Sequence, residues 1–81
     1  MVRLVLEGIS THKGRCFQCG YVVYPRQGVA FRDEEGRLYV GHPDCCFVEL
    51  KNRADGTVEI GAHVSELHIS RLERKYAVDG A

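Results

Sequence analysis

Eighty-one residues with eleven Lys+Arg against eleven Asp+Glu, 44% hydrophobic and 27% charged, describe a single small domain over 1–81. Two domains would hold roughly 40 residues each, too few for self-sufficient cores, and an ordinary apolar fraction with balanced charge argues against disorder. No apolar run approaches the roughly 18–20 residues of a membrane span, and MVRLVLEGIS is too short for a signal-peptide core, so the expectation is a cytoplasmic protein in a reducing compartment, without a membrane partner.

Val2, Leu4 and Leu6 alternate with Arg3 and Glu7, which predicts a first strand ending near Gly8. A polar stretch, Ser10 to Arg15, then leads into Cys16-Phe17-Gln18-Cys19-Gly20. Tyr21 to Tyr24 is β-branched and aromatic, and Pro25 stops it. Residues 28–32 and 37–41 flank Asp33-Glu34-Glu35-Gly36, a polar turn closing on glycine, and so read as a hairpin. His42 to Lys51 reads as a short helix, because Pro43 and Asp44 suit a first helical turn. A turn at 52–56 and a strand near 57–62 follow. Ser65 caps a predicted final helix, with Val64, Leu67, His68, Leu72 and Tyr76 as its apolar stripe and Gly80 past its end. The expected fold class is α+β, with a metal-binding core at 14–50 and a C-terminal strand and amphipathic helix at 57–77.

Four cysteines in so small a chain point to a staple, from disulfides or a metal. Cys16 and Cys19 form a C-x2-C pair; His42 and Cys45 form an H-x2-C pair after 22 intervening residues. Zinc takes four such donors at tetrahedral corners, sulfur at about 2.3 Å and imidazole nitrogen at about 2.0–2.1 Å. Two cysteines separated by two residues reach one ion if the backbone turns tightly, which Gly20 permits. Residues i and i+3 of a first helical turn share a face, so His42 and Cys45 supply the other corners. An H-x3-C reading would take Cys46 in place of Cys45; the i, i+3 geometry favours Cys45 and leaves Cys46 as a core thiol. A redox C-x2-C normally opens a helix after a buried strand, and no βαβ pattern is present. His12 reads as solvent-facing, His63 and His68 share no face cleanly, and His68 reads as a partly buried helix residue.

The run CFQC…GVAFRDEEGRLYVGHPDCC resembles a treble clef zinc finger. Within that group it is similar to the first half of a LIM domain and to the zinc finger of poly(ADP-ribose) polymerases, over residues 14–50. The resemblance implies one structural Zn2+ on Cys16, Cys19, His42 and Cys45, with the second pair opening a helix. It brings no partner with it.

Four protein ligands leave a zinc no position for water, and no H-E-x-x-H, G-x-S-x-G or phosphate-cradling glycine loop occurs, so no enzymatic activity is expected. Charge is unevenly placed. Residues 1–32 carry five basic residues and one acid, 33–66 three and eight, 67–81 three and two. That dipole suits a charged protein partner, and the terminal helix could pair two copies, so an adaptor or regulatory protein is the first expectation. Nucleic-acid binding is the alternative. Lys13, Arg15 and Arg26 surround the first cysteine pair, with Phe17, Tyr21 and Tyr24 interleaved; Lys13, Arg15, Phe17, Tyr21 and Arg26 are the candidate contacts.

Overall fold

A computed structural model describes residues 1–78 of the chain. Along them run β1 (Val2–Ile9), β2 (Gly14–Arg15), β3 (Val22–Val23), β4 (Val29–Arg32), β5 (Leu38–Gly41), β6 (Val48–Asn52), β7 (Val58–His63) and β8 (Glu66–Ile69). Four of them form an antiparallel sheet in the order β5-β4-β1-β8, while β2-β3 and β6-β7 form separate two-stranded ribbons. No helix among the described residues is long and apolar enough to cross a membrane.

The α+β expectation is overturned: the two helical segments of the described residues are single 3-10 turns, Asp44–Cys46 and Arg74–Tyr76. The first predicted helix fails at Phe47, which adopts a left-handed conformation (φ 58°) and ends the turn. Beyond it Val48 and Leu50 point inward and Glu49 and Lys51 outward, a period of two, and β6 pairs with β7 across the Arg53–Gly56 turn. Without a helix after the second ligand pair, the treble clef expectation falls as well.

The second predicted helix is also a strand. Glu66-Leu67-His68-Ile69 alternates, and β8 lies along β1 with Leu4 opposite Leu67 and Val2 opposite Ile69. β1 already bonds β4 on its other side, so β8 supplies partners to a row of backbone groups that would otherwise lack them. The pairing also sets Arg3 Nε 2.7 Å from the Glu66 carboxylate. Gly80, the proposed stop of that helix, lies outside the described residues.

The main core gathers Leu4, Phe17, Val29, Phe31, Tyr39, Cys46, Val48 and Leu67. Phe17 packs edge-on against Phe31, with ring centres 5.8 Å apart, and against Tyr39 at 6.4 Å. A second, smaller cluster joins Cys16, Val23 and Val40. Strand β5 holds the first cysteine loop and the C-terminal segment. The Phe17 N–H donates to the Val40 carbonyl at 3.2 Å and the Val78 N–H to the Leu38 carbonyl at 2.8 Å. The first cysteine loop and the C-terminal segment are thus both hung on one edge strand.

Candidate metal centre

The first pair of donors sits at the tip of the β2–β3 ribbon, in which Gly14 pairs with Val23 and Arg15 with Val22. The loop closes on itself: the Cys16 N–H donates to the Tyr21 carbonyl at 2.8 Å, and the Gly20 N–H to the Cys16 carbonyl at 2.8 Å. Gly20 makes this possible with φ 82°, a conformation that side chains disfavour. The turn leaves the Gln18 amide 3.4 Å from Cys16 Sγ, a hydrogen bond to sulfur.

The second pair follows directly from the end of β5. Pro43 opens the 3-10 turn, and its carbonyl accepts from the amides of Cys46 at 3.1 Å and Val48 at 3.0 Å. A turn this tight brings His42 and Cys45 round to one side and sends Cys46 into the core. Gly41 lets the segment approach: a Cβ there would stand 2.5 Å from Cys46 Sγ and 3.0 Å from Phe17 Cε1.

Cys16, Cys19, His42 and Cys45 thereby converge, their donor atoms all within 4.8 Å of one another. In a tetrahedral site with metal–sulfur bonds of about 2.3 Å, neighbouring sulfurs stand about 3.8 Å apart, so the four donors need to contract little to hold an ion. Cys19 Sγ and His42 Nδ1 are 3.2 Å apart. The other ring nitrogen, Nε2, lies 3.0 Å from the Val22 carbonyl oxygen. That carbonyl can only accept, so Nε2 carries the proton and Nδ1 presents its lone pair to the cluster.

The electrostatics are those of a site that needs a cation. Burial opposes ionisation of Cys16, but the amides of His42, Cys19 and Gln18 outweigh it and bring the thiol down to about 7. Burial, reinforced by the negative charge of Cys16, pushes Cys45 up to about 12. Without a positive ion these thiols cannot all ionise together. Cys46 is wholly buried and pushed up to about 12 by the same burial. All four cysteines are free of disulfides.

The other candidate residues scatter. Phe17 leaves the contact set, since it is buried in the core and presents no face to a partner. Tyr21 is 74% exposed and Lys13 and Arg15 are exposed. Arg26 lies round another side, with φ 68° and its N–H donating to the Ser10 carbonyl, in a cleft with Ile9 and Val58. The sequence reading missed Lys75 and Tyr76, which stand beside Arg15 and Gly20. They lie some 60 positions away in the chain, and no local pattern connects them to the cysteine loop.

No protein-family model, curated protein or solved structure matches this chain. The fold and the site therefore define the protein by themselves: a strand-rich domain with a Cys3His cluster close enough to bind a metal. The likeness to LIM and poly(ADP-ribose) polymerase fingers rests on the two ligand pairs alone.

Proposed function

We propose that the protein is a structural-zinc domain that works by binding a partner and carries no reaction of its own. The observation behind this reading is the closed donor set: three sulfurs and one imidazole nitrogen converge from two separated segments. A catalytic zinc keeps one of those four positions for water; a closed set serves folding. Zinc joins the β2–β3 loop to the end of β5, two parts of the chain otherwise linked by few hydrogen bonds. Four free thiols agree with a reducing, cytoplasmic compartment.

The test is metal content and a chelator melt. Purified protein should hold one zinc per chain. Structural zinc contributes about 10–16 kcal/mol in small fingers, as much as the whole stability of a domain this size, so chelation should abolish the cooperative melt. Metal-free protein that melts unchanged would remove the reading.

The partner reading divides in two. An adaptor role by protein contact is supported by Phe47, 69% exposed in a cleft it shares with Pro43, Val48, Leu50 and Ala62 between Asp44 and Glu49. Pairing of two copies through a C-terminal helix is withdrawn, because Leu67 of that segment lies in the domain's own core. Nucleic-acid binding is supported by Lys13 and Arg15, exposed beside the first cysteine pair within residues 8–25, a stretch that carries no acid. The second has the stronger support, since the fold adds a further cation to that surface.

A further inference from the structure

The ribbon that carries the first cysteine pair has two faces, and only one of them serves the core. Val23 is buried, and a Cβ on Gly14 opposite it would meet Val40 Cγ2 at 2.8 Å. Alternation then places Arg15 and its cross-strand partner Val22 on the other face, together with Lys13 and Tyr24. All four are exposed, and the Lys13 ammonium lies 5.3 Å from the centre of the Tyr24 ring.

The C-terminal segment completes this face. Held to β5 through Val78 and Ala77, it sets Lys75 and Tyr76 alongside. Between the two segments runs a cleft of ≈ 350 Å³ lined by His12, Lys13, Arg15, Lys75 and Tyr76. It continues past Arg15 and Lys75 to Gly20 in a second of ≈ 340 Å³. Among the described residues the one carboxylate bonded to these three cations is Glu73, 3.0 Å from Lys75 in an exposed pair. The Arg15 guanidinium donates to the Gly20 carbonyl at 3.0 Å, which fixes it at the cleft wall, and its remaining donors have no partner among the described residues.

The geometry points to a binding groove for single-stranded nucleic acid, in which Lys13, Arg15 and Lys75 take successive phosphates and Tyr24 stacks on an unpaired base. Tyr24 is 48% exposed, and its ring stands beside the Lys13 ammonium as a flat apolar face next to a cation. An acidic protein segment would satisfy the cations and leave that ring without a partner. A duplex hides its base faces, and a ribbon of two paired residues per strand is too short to read a groove. The chain is neutral overall, so the attraction is local and the affinity modest and salt-sensitive.

This inference rests on the zinc reading, because the metal holds the ribbon in place; its test uses the zinc-loaded full chain, with zinc content measured on every variant. A fluorescein-labelled oligothymidylate of about a dozen nucleotides is titrated by anisotropy over a range of salt. Three phosphate contacts predict a slope of log affinity on log salt near about −2 for a single strand. Lys13→Gln, Arg15→Gln and Lys75→Gln should each flatten that slope by about 0.7. Tyr24→Leu should weaken oligothymidylate at least about fivefold while leaving inorganic polyphosphate, which has charge and no bases, unchanged. The chain has no tryptophan, so tyrosine emission should fall as bases stack. Zinc-loaded protein that ignores the oligonucleotide at low salt overturns the groove and leaves the zinc reading standing. Polyphosphate, a duplex or an acidic peptide binding as tightly as oligothymidylate, or no effect of Tyr24→Leu, overturns it too. Loss of binding only in variants that have also lost zinc would equally count against it.

Discussion

The Val22 carbonyl stands 3.0 Å from Nε2 of His42, and this single contact decides which nitrogen of the ring serves the metal site. A carbonyl accepts a proton's hydrogen bond and cannot offer one, so the ring is held as the Nε2–H tautomer with Nδ1 toward Cys19. In the zinc-loaded protein, nitrogen NMR should show a metal-shifted Nδ1 and a slowly exchanging Nε2 proton. A ring ligated through Nε2 would contradict the geometry.

Acid should strip the metal in two stages. Cys45, held at about 12, keeps its proton throughout neutral pH until an ion displaces it. Metal affinity should therefore fall at least about tenfold for each pH unit lost above 7. Cys16 is the opposite case. Its ordinary value of 9.0 is lowered to about 7, so its ionisation favours the fold fully above 9, and that support is lost as pH falls through 7. Below 7 two protons compete with each ion, and the loss should steepen to at least about a hundredfold per unit. Competition against a chelator of known affinity, repeated across pH 5 to 9, reads both slopes.

Gly41 and Cys46 should behave as a coupled pair. A methyl group at Gly41 would meet Cys46 Sγ at 2.5 Å, so Gly41→Ala should destabilise zinc-loaded protein by about 1–3 kcal/mol in urea melts. Cys46→Ala removes that sulfur and should recover part of the loss, with the Phe17 ring at 3.0 Å accounting for the remainder. Cys46→Ala by itself should retain one zinc per chain, whereas Cys45→Ala should lose it. The reverse outcome would exchange their roles.

Leu67 and His68 separate a strand from a helix. On a helix both would belong to one apolar stripe; in β8 they face opposite sides, Leu67 into the core and His68 out beside Glu66. Leu67→Ala should cost about 2–4 kcal/mol, while His68→Ala should stay within about 0.5 kcal/mol because exposed pairs contribute little. Equal costs would argue against the strand.

What could be read along the chain was whatever depends on near neighbours. The 28–41 hairpin follows from two apolar runs around a polar turn ending in glycine, and β4 and β5 occupy it. The C-x2-C and H-x2-C pairs follow from the reach of two short turns toward one ion, and their four donors stand together. The sequence around Val48 also held a hint: Val48-Glu49-Leu50-Lys51 alternates, and a turn with Gly56 leads into a second alternating run. Pro43 and Asp44 outweighed it in the reading, although a helical first turn needs only three residues.

The 22-residue spacing of the two ligand pairs and the alternation of β1 and β7 were determined by the sequence itself, because bond geometry and side-chain period act over a few residues. Three things were left to the tertiary structure. Residues 66–69 fit either period, and they became a strand because β1 had an unbonded edge that only a strand can satisfy. Phe17 could have faced a partner, and it turned inward because Phe31 and Tyr39 offer it a core. Lys75 met Lys13 and Arg15 because the C-terminal segment and the cysteine loop hang on the same edge of β5. Each of these was settled by a partner distant in the chain, and a backbone or side chain choosing among local options takes the one that leaves no buried group unmatched.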